Sequence, residues 1–187
     1  MKMLSLNIRG FGGEDKEGKL NWVRKLCRVE KPDVIFIQET KLHTVDLRWI
    51  RRIWGNNNCN FIQKAMVGKS GGQLIIWDVN RYEATDPFVS NFFIGLRGKW
   101  KVSGECCNLI NVYGPHKDAN KKRLWEQLTN VLENCDSPWI IGGDFNEVRE
   151  QDDRFNCNFI EYRARWFNKF IEENKLIDLP IGGRKYM

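Results

Sequence analysis

Two kinds of hydrophobic spacing alternate along the first part of the chain. Residues 4–8 alternate apolar and polar positions, as a half-buried strand does. Apolar residues then recur at helical spacing over 20–29, and residues 34–37 form a continuous apolar run that begins just after Pro32-Asp33. Such a run is typical of a strand buried on both faces. The order strand, helix, buried strand predicts a β-α-β unit.

The pattern changes after residue 60. Short β-rich runs separated by turn residues predict an antiparallel meander, and they cover residues 61–62, 74–77, 88–89, 92–94, 100–102 and 109–113. Another buried strand is predicted at 139–141. Further helices are predicted over residues 46–54, 121–132 and 162–173. Residues 176–187 carry no clear element.

This mixture of strands and helices defines the fold class. It indicates an α/β or α+β fold in which helices cover two β-rich layers, and the pattern alone does not separate the two classes. The chain has 187 residues and no internal repeat, so we predict a single domain over residues 1–187.

Charge and composition restrict the partners and the compartment. Lys and Arg number 30 against 24 Asp and Glu, and this excess favours a polyanionic partner. No apolar run approaches the roughly 20 residues that cross a bilayer. The N-terminus becomes polar too soon for a signal peptide. We therefore expect no membrane partner, no secretion, and a nuclear or cytoplasmic location.

Several familiar motifs are excluded by spacing. The six cysteines contain no C-x-x-C pair, which argues against structural zinc and favours reduced thiols. A phosphate-binding loop around residues 68–70 lacks its first glycine at Gln63, and a dinucleotide motif at residues 10–12 lacks its third at Asp15. Most of the eight tryptophans fall on apolar stripes or strand runs, where core packing explains them better than base stacking.

Polar residues follow the buried strands at their carboxyl ends, where ligands bind in open α/β sheets. These residues are Asn7, the segment 38–40 and the segment 142–146. Asp144 and Asn146 stand two apart, so in extended backbone both side chains face one pocket while Phe145 turns inward. An Asp-Asn turn explains the same pair equally well. Glu39 is either a functional carboxylate or a capping or ion-paired glutamate.

The chemistry that suits these residues is metal-assisted phosphoester cleavage. A hard divalent cation binds carboxylate and amide oxygens and often takes only one or two ligands from protein. An aspartate beside it can activate water, and Tyr113 at the end of residues 111–115 can donate to a developing oxyanion. The alternative for Tyr113 is a strand-end aromatic that caps the core.

Four motifs in order resemble the endonuclease/exonuclease/phosphatase family. They are Asn7-Ile8-Arg9-Gly10, Gln38-Glu39-Thr40-Lys41, Asn111-Val112-Tyr113-Gly114-Pro115 and Gly143-Asp144-Phe145-Asn146. The resemblance covers nearly the whole chain. Trp125 and the segment 178–185 look most like the endonuclease domains of plant LINE-type retrotransposons.

The resemblance implies a fold, a cofactor and a set of roles. The fold is a four-layer α/β/β/α sandwich, the cofactor is Mg²⁺ or Mn²⁺, and the partner is nucleic acid, most readily DNA. Glu39 would be the main metal ligand, with Asn7 supporting metal or phosphate. Tyr113 would stabilise the phosphate, Asp144 would activate or orient water, and Asn146 would fix Asp144 or the substrate.

The sequence departs from the family pattern in its histidines. The pattern closes with a further strand and a Ser-Asp-His motif, and neither occurs within the 187 residues. The sequence contains only His43, which we expect on the surface, and His116, which stands near Tyr113 and is a weak substitute. Arg9 also replaces the aspartate that some relatives carry. We expect the family's last strands to be absent, which leaves uncovered sheet edges that favour self-association.

Three functions remain open at this point. The first is a metal-dependent nuclease-type phosphodiesterase with low or absent activity in this chain. The second is an inactive remnant that binds nucleic acid or retains no function. A small-molecule phosphatase is less favoured, because the net charge and the retrotransposon-like residues favour nucleic acid.

Overall fold

A computed structural model describes residues 1–12, 16–68, 70–153, 159–180 and 182. The strands in these ranges are β1 (Met3–Asn7), β2 (Val34–Gln38), β3 (Cys59–Val67), β4 (Ser70–Asp78), β5 (Tyr82–Val89), β6 (Phe93–Trp100), β7 (Asn108–Tyr113) and β8 (Trp139–Asp144). The helices are α1 (Lys16–Glu30), α2 (Leu47–Trp54), α3 (Asp118–Glu133) and α4 (Glu161–Glu173), with a 3₁₀ turn at Gln151–Asp153. None of these helices is long and apolar enough to cross a membrane.

The chain forms two compact units. The first contains residues 1–113 and 137–144, and the second contains residues 114–136 and 145–187. The first unit holds two four-stranded sheets, with strand orders β1-β2-β4-β3 and β5-β6-β7-β8. We call them sheet A and sheet B. The pairs β1–β2 and β7–β8 are parallel, and the other neighbours are antiparallel.

Alternating burial along β2 places two hydrophobic cores on the two faces of sheet A. Ile35 and Ile37 pack with buried residues of α1 and α2, while Val34 and Phe36 pack with residues of sheet B. All five residues of β2 are buried, as the continuous apolar run predicts. The first unit therefore has helices on one face of sheet A and sheet B on the other.

The second unit is built around an aromatic cluster. Trp125 of α3 stacks on Phe167 and Phe170 of α4, with ring centroids 5.0 and 5.1 Å apart. Phe145 joins the cluster with its ring 5.3 Å from Phe167. The inward turn expected for Phe145 is therefore observed, and aromatic packing at these distances adds directional attraction to the area that it buries.

The fold class is confirmed, since the described residues form two packed sheets and four helices, but the predicted meander is wrong in detail. Strands β3 and β4 belong to sheet A, whereas β5, β6 and β7 belong to sheet B. The break falls between β4 and β5 because β4 pairs with β2 instead. A strand buried on both faces, as β2 is, needs a hydrogen-bonded partner along both edges, and β4 supplies the second one.

A buried amide network joins the two sheets near the ends of β2 and β7. Asn111 donates to the carbonyls of Ile37 and Leu74 at 3.1 and 2.9 Å. Its Oδ1 accepts a 2.7 Å hydrogen bond from Gln38, and its main-chain carbonyl accepts one of 2.9 Å from Gln73. These three side chains are almost fully buried. Because buried amides cost free energy unless they are paired, the network favours one register of sheet A against sheet B.

We expect Asn111→Leu to lower the free energy of unfolding by about 2–4 kcal/mol, because it leaves several buried polar groups without partners. Urea denaturation followed by circular dichroism measures the loss. Asn60→Leu on the exposed face of β3 is the matched control and should change stability by no more than about 0.5 kcal/mol. Equal stabilities of the two variants would contradict a structural role for the network.

Candidate active site

The parallel strand pairs place the predicted site residues at the carboxyl ends of their strands. Asn7 and Gln38 are register partners at the ends of β1 and β2, so Glu39 follows directly. Tyr113 and Asp144 are register partners at the ends of β7 and β8. The first unit thus holds four of the predicted residues. Asn7 contacts Asp144, and Tyr113 interacts electrostatically with Glu39.

Asn7 is hydrogen-bonded to the carboxylate of Asp144. Its Nδ2 donates to Asp144 Oδ2 at 2.7 Å, between partly buried side chains. Its Oδ1 accepts the main-chain N–H of Arg9 at 3.1 Å, which fixes the orientation of the amide. The amide therefore orients Asp144, which is one of the two roles that the resemblance implies for Asn146.

Glu39 lies in a turn of unusual backbone conformation. Its φ of 53° and that of Lys41, 52°, fall in the left-handed region, which is uncommon for residues other than glycine. The Lys41 ammonium lies 3.0 Å from Glu39 Oε1, and the Glu39 side chain is 18% exposed. Such conformations cluster at functional sites, where surrounding structure compensates for their cost.

Main-chain hydrogen bonds to β4 of sheet A fix this turn. The main-chain N–H groups of Thr40 and Lys41 donate to the carbonyls of Gly72 and Gly71, both at 3.0 Å. A Cβ at Gly72 would come within 2.3 Å of Thr40 Oγ1, so a larger residue there displaces the turn. The close approach explains a glycine at this point and fixes the position of Glu39.

The loop after β1 is held in a similar way by a lysine. Lys19 of α1 donates to the carbonyls of Ile8 and Gly10 at 3.1 and 2.9 Å. Arg9 between them has a φ of 50°, again in the left-handed region. The contacts fix the loop whose N–H orients Asn7.

Tyr113 connects the two carboxylates electrostatically. Burial, followed by the negative charges of Glu39 and Asp144 and a hydrogen bond to Glu39, raises the pKa of Tyr113 to about 12. Each cause favours the neutral phenol, because a phenolate would be poorly solvated and would face two carboxylates. Tyr113 therefore keeps its proton at neutral pH and remains a hydrogen-bond donor.

Removing the charge of Glu39 should shift this titration. We expect Glu39→Gln to lower the pKa of Tyr113 from about 12 toward the ordinary value, but only in part, since burial is the largest cause. The ultraviolet difference spectrum against a Tyr113→Phe background isolates this one phenol. An unchanged midpoint in Glu39→Gln would contradict the proximity of the two side chains.

Asn146 belongs to the second unit, and the extended backbone expected through it ends at Asp144. Its φ is 50°, so the alternation argument for the pair does not apply. Its Nδ2 donates to the carbonyl of Gly114 at 2.7 Å. Its own carbonyl accepts a hydrogen bond from Lys121, which also pairs with Glu147 at 2.8 Å.

The paired glycines before Asp144 have a structural explanation. A Cβ at Gly143 would lie 2.0 Å from the carbonyl oxygen of Val112, and φ there is 131°. Gly142 faces the ring of Phe36 across the core. The close approach that glycine permits is therefore one of protein backbone and core, rather than of a ligand. The same packing fixes the backbone just before Asp144.

The donor set of the first unit fits a hard divalent cation. Within the described ranges, no three His, Cys, Asp or Glu side chains are grouped closely enough to hold a metal by themselves. Mg²⁺ commonly takes one or two carboxylates and completes its shell with water and phosphate. Glu39 and Asp144 are the two carboxylates near Tyr113, and Lys41 already balances the charge of Glu39. His43 and His116 are both exposed.

The sequence pattern predicted several of these residues but not the contacts between them. It kept an ion-paired Glu39 as an alternative without naming Lys41 as the partner, and it did not predict the Asn7–Asp144 hydrogen bond or the Lys121–Glu147 pair. One signal was available for the last pair. Lys121 stands on the apolar stripe of α3 with Leu124, Trp125 and Leu128, and a charge on a buried face requires a buried partner.

Residues 4–178 match the model of the endonuclease/exonuclease/phosphatase family. The chain therefore belongs to this family of endonucleases, exonucleases and phosphatases. A segment of 56 residues is also 41% identical to an uncharacterised 149 kDa protein of transposon TX1 from Xenopus laevis, which fits the retrotransposon link.

Solved structures share the fold at low sequence identity. An AP endonuclease from Leishmania major is 17% identical with a TM-score of 0.68, covering 92% of this chain and 65% of that one. An AP endonuclease from Archaeoglobus fulgidus is 18% identical with a TM-score of 0.61, covering 91% of this chain and 69% of that one. A humanised TDP2 from D. rerio is 17% identical with a TM-score of 0.59, covering 79% of this chain and 63% of that one.

The chain spans only part of its relatives. It covers under two thirds of the Leishmania and D. rerio proteins, and the segment matched in the Xenopus protein is 29% of this chain and 4% of that one. At these identities the structural likeness establishes the fold alone.

Proposed function

We propose that the chain is a divalent-metal-dependent phosphodiesterase of the endonuclease type that acts on nucleic acid, with DNA as the preferred substrate. One observation carries the proposal: Asn7 Nδ2 donates to the Asp144 carboxylate at 2.7 Å, at the carboxyl ends of β1 and β8, and Glu39 and Tyr113 stand at the corresponding ends of β2 and β7. Family membership and the basic composition support it. The AP endonucleases among the similar folds are nucleases by name.

The proposed roles follow from the contacts. Glu39 would hold Mg²⁺ or Mn²⁺, with Asn7 supporting metal or phosphate. The bound cation would neutralise charge on the phosphate and lower the pKa of a bound water. Asp144, held by Asn7, would accept the proton of the attacking water.

Tyr113 would donate its phenolic hydrogen to a phosphate oxygen. Its raised pKa keeps that hydrogen in place at neutral pH. The role that the resemblance implies for Asn146, fixing Asp144 or the substrate, stays a prediction; within its own unit Asn146 is held by Lys121 and Gly114.

We expect slow cleavage by the 187 residues alone. The family pattern closes with a histidine in a Ser-Asp-His motif, and neither His43 nor His116 has that context. Groups that act as a unit are not additive, so the loss of one can remove several orders of magnitude. The alternative is an inactive remnant that binds nucleic acid. Three further points stay predictions. They are self-association through sheet edges, a nuclear or cytoplasmic location, and the resemblance to plant LINE-type endonuclease domains.

Nicking of supercoiled plasmid tests the proposal, because one cut per molecule is visible. We expect relaxed circles to accumulate with Mg²⁺ or Mn²⁺ and not with EDTA. A folded wild-type chain that shifts plasmid in a binding assay but never nicks it would favour the remnant. Nicking that persists in EDTA would overturn the metal dependence.

A further inference from the structure

A basic groove lies in the first unit at the end of sheet A opposite the candidate active site. It has a volume of about 740 Å³ and is lined by α1, the end of α2 with the turn after it, the end of β4 and the turn before β5. Asp33 borders it just before β2, and Glu39 follows the far end of the same strand. Six residues of extended chain span about 20 Å, so one phosphate cannot touch both places.

Five cationic side chains line this groove, and two carboxylates do. The cations are Arg24, Lys25, Arg28, Lys31 and Arg81. The carboxylates, Asp33 and Asp78, are already engaged. Asp33 accepts the main-chain N–H of Lys2 at 2.7 Å and lies 3.7 Å from Arg81, and Asp78 accepts the N–H of Asn80 at 2.8 Å.

Arg81 is paired with Asp33, but the other four cations have no carboxylate partner of this kind in the described residues. Within the described part of the chain, no carboxylate lies within 4.0 Å of the charged nitrogens of Arg24, Lys25, Arg28 or Lys31. All four residues are exposed. Arg24 and Arg28 lie one helical turn apart, where like charges repel. A polyanion in the groove relieves that repulsion.

A second feature of the same helix indicates what kind of polyanion fits. Trp22 is 49% exposed, whereas the other seven tryptophans are buried or half-buried. Lys25, three residues further along α1, lies next to Trp22 on the helix surface and lines the groove. A cationic groove that follows a backbone beside an aromatic face for stacking is the usual construction of a single-strand binding site.

We propose that this groove binds the backbone of single-stranded nucleic acid, with Trp22 stacking on a base. Arg24, Arg28 and Lys31 would contact phosphates, and Lys25 would lie between the backbone and the stacked base. Duplex does not suit the site, because its bases are already stacked on each other. The site is separate from the carboxylates and does not depend on the proposed cleavage.

Fluorescence anisotropy with a labelled 12-residue oligo(dT) in EDTA tests the proposal without metal chemistry. We expect the triple variant Arg24→Gln/Arg28→Gln/Lys31→Gln to bind about tenfold or more weakly and to reduce the salt slope by about two, since each lost phosphate contact removes about 0.7. Trp22→Ala should weaken binding about tenfold through lost stacking.

The matched control is Lys101→Gln/Arg165→Gln/Lys169→Gln, which removes the same charge from exposed positions elsewhere. It should bind within about twofold of wild type. Thermal melts establish that every variant is folded. An unchanged affinity in either the groove variant or Trp22→Ala overturns the proposal, as does an equal loss in the control.

Discussion

Metal-dependent nicking by the chain should fall to the level of the EDTA control in Glu39→Gln and in Asp144→Asn. Both substitutions keep size and shape and remove one negative charge. Tyr113 can still donate to the amide oxygen at position 39, and Asn7 still has an oxygen to donate to at position 144. What is lost is the charge that holds a cation or accepts a proton, and such losses cost about 10²–10⁴-fold in rate.

Glu126→Gln on the exposed face of α3 is the matched control and should nick as wild type does. Asn7→Leu should lie between these extremes, because it leaves Asp144 charged but no longer oriented. The plasmid assay measures all four variants at one metal concentration. Wild-type rates in both carboxylate variants would place the chemistry elsewhere in the molecule.

Removing Glu147 alone should destabilise the chain by about 3–5 kcal/mol, the usual cost of leaving a buried charge without its partner. Lys121 is 1% exposed and Glu147 8%, with 2.8 Å between the charged atoms. Glu147→Leu removes the carboxylate in direct contact with the ammonium and leaves it the carbonyl of Asn146, with Asp118 acting only from a greater distance. Urea denaturation followed by circular dichroism measures the loss.

The double variant Lys121→Met/Glu147→Leu distinguishes the free energy of the ion pair from that of side-chain packing. It should recover most of the stability lost by Glu147→Leu, because replacing both charges by apolar groups removes the unpaired ion. Lys121 also donates to the carbonyl of Asn146, so the double variant removes one contact of a predicted site residue. A double variant that is as unstable as the sum of the single variants would mean that the charges do not interact.

Local patterns were enough to predict most elements of this fold. The continuous apolar run at residues 34–37 gave β2 its doubly buried place, and Asp46 caps α2 by accepting the N–H of Trp49 at 2.8 Å. The allocation of strands to sheets could not be predicted in this way. Pairing of β4 with β2 depends on which strand satisfies the second edge of β2, and short runs of similar composition do not encode that choice.

The candidate site divides in the same manner. Polar residues at the carboxyl ends of strands predicted a site containing Asn7, Glu39, Tyr113 and Asp144. The fold places these four residues in one unit. The backbone at Asn146 was not predicted, because the left-handed φ of 50° replaces the extended conformation that the argument assumed. The pairing of Asn7 with Asp144 spans 137 residues, a separation at which no local pattern carries information.

Binding of the metal itself is the most direct test of this account. Isothermal titration of the folded chain with Mn²⁺ should give one saturable site in wild type, a site lost in Glu39→Gln and retained in Glu126→Gln. That result would place the cation at the carboxyl end of β2 whatever the rate of cleavage. Absence of binding in wild type, or equal binding in Glu39→Gln, would contradict the assignment of Glu39 as the metal ligand.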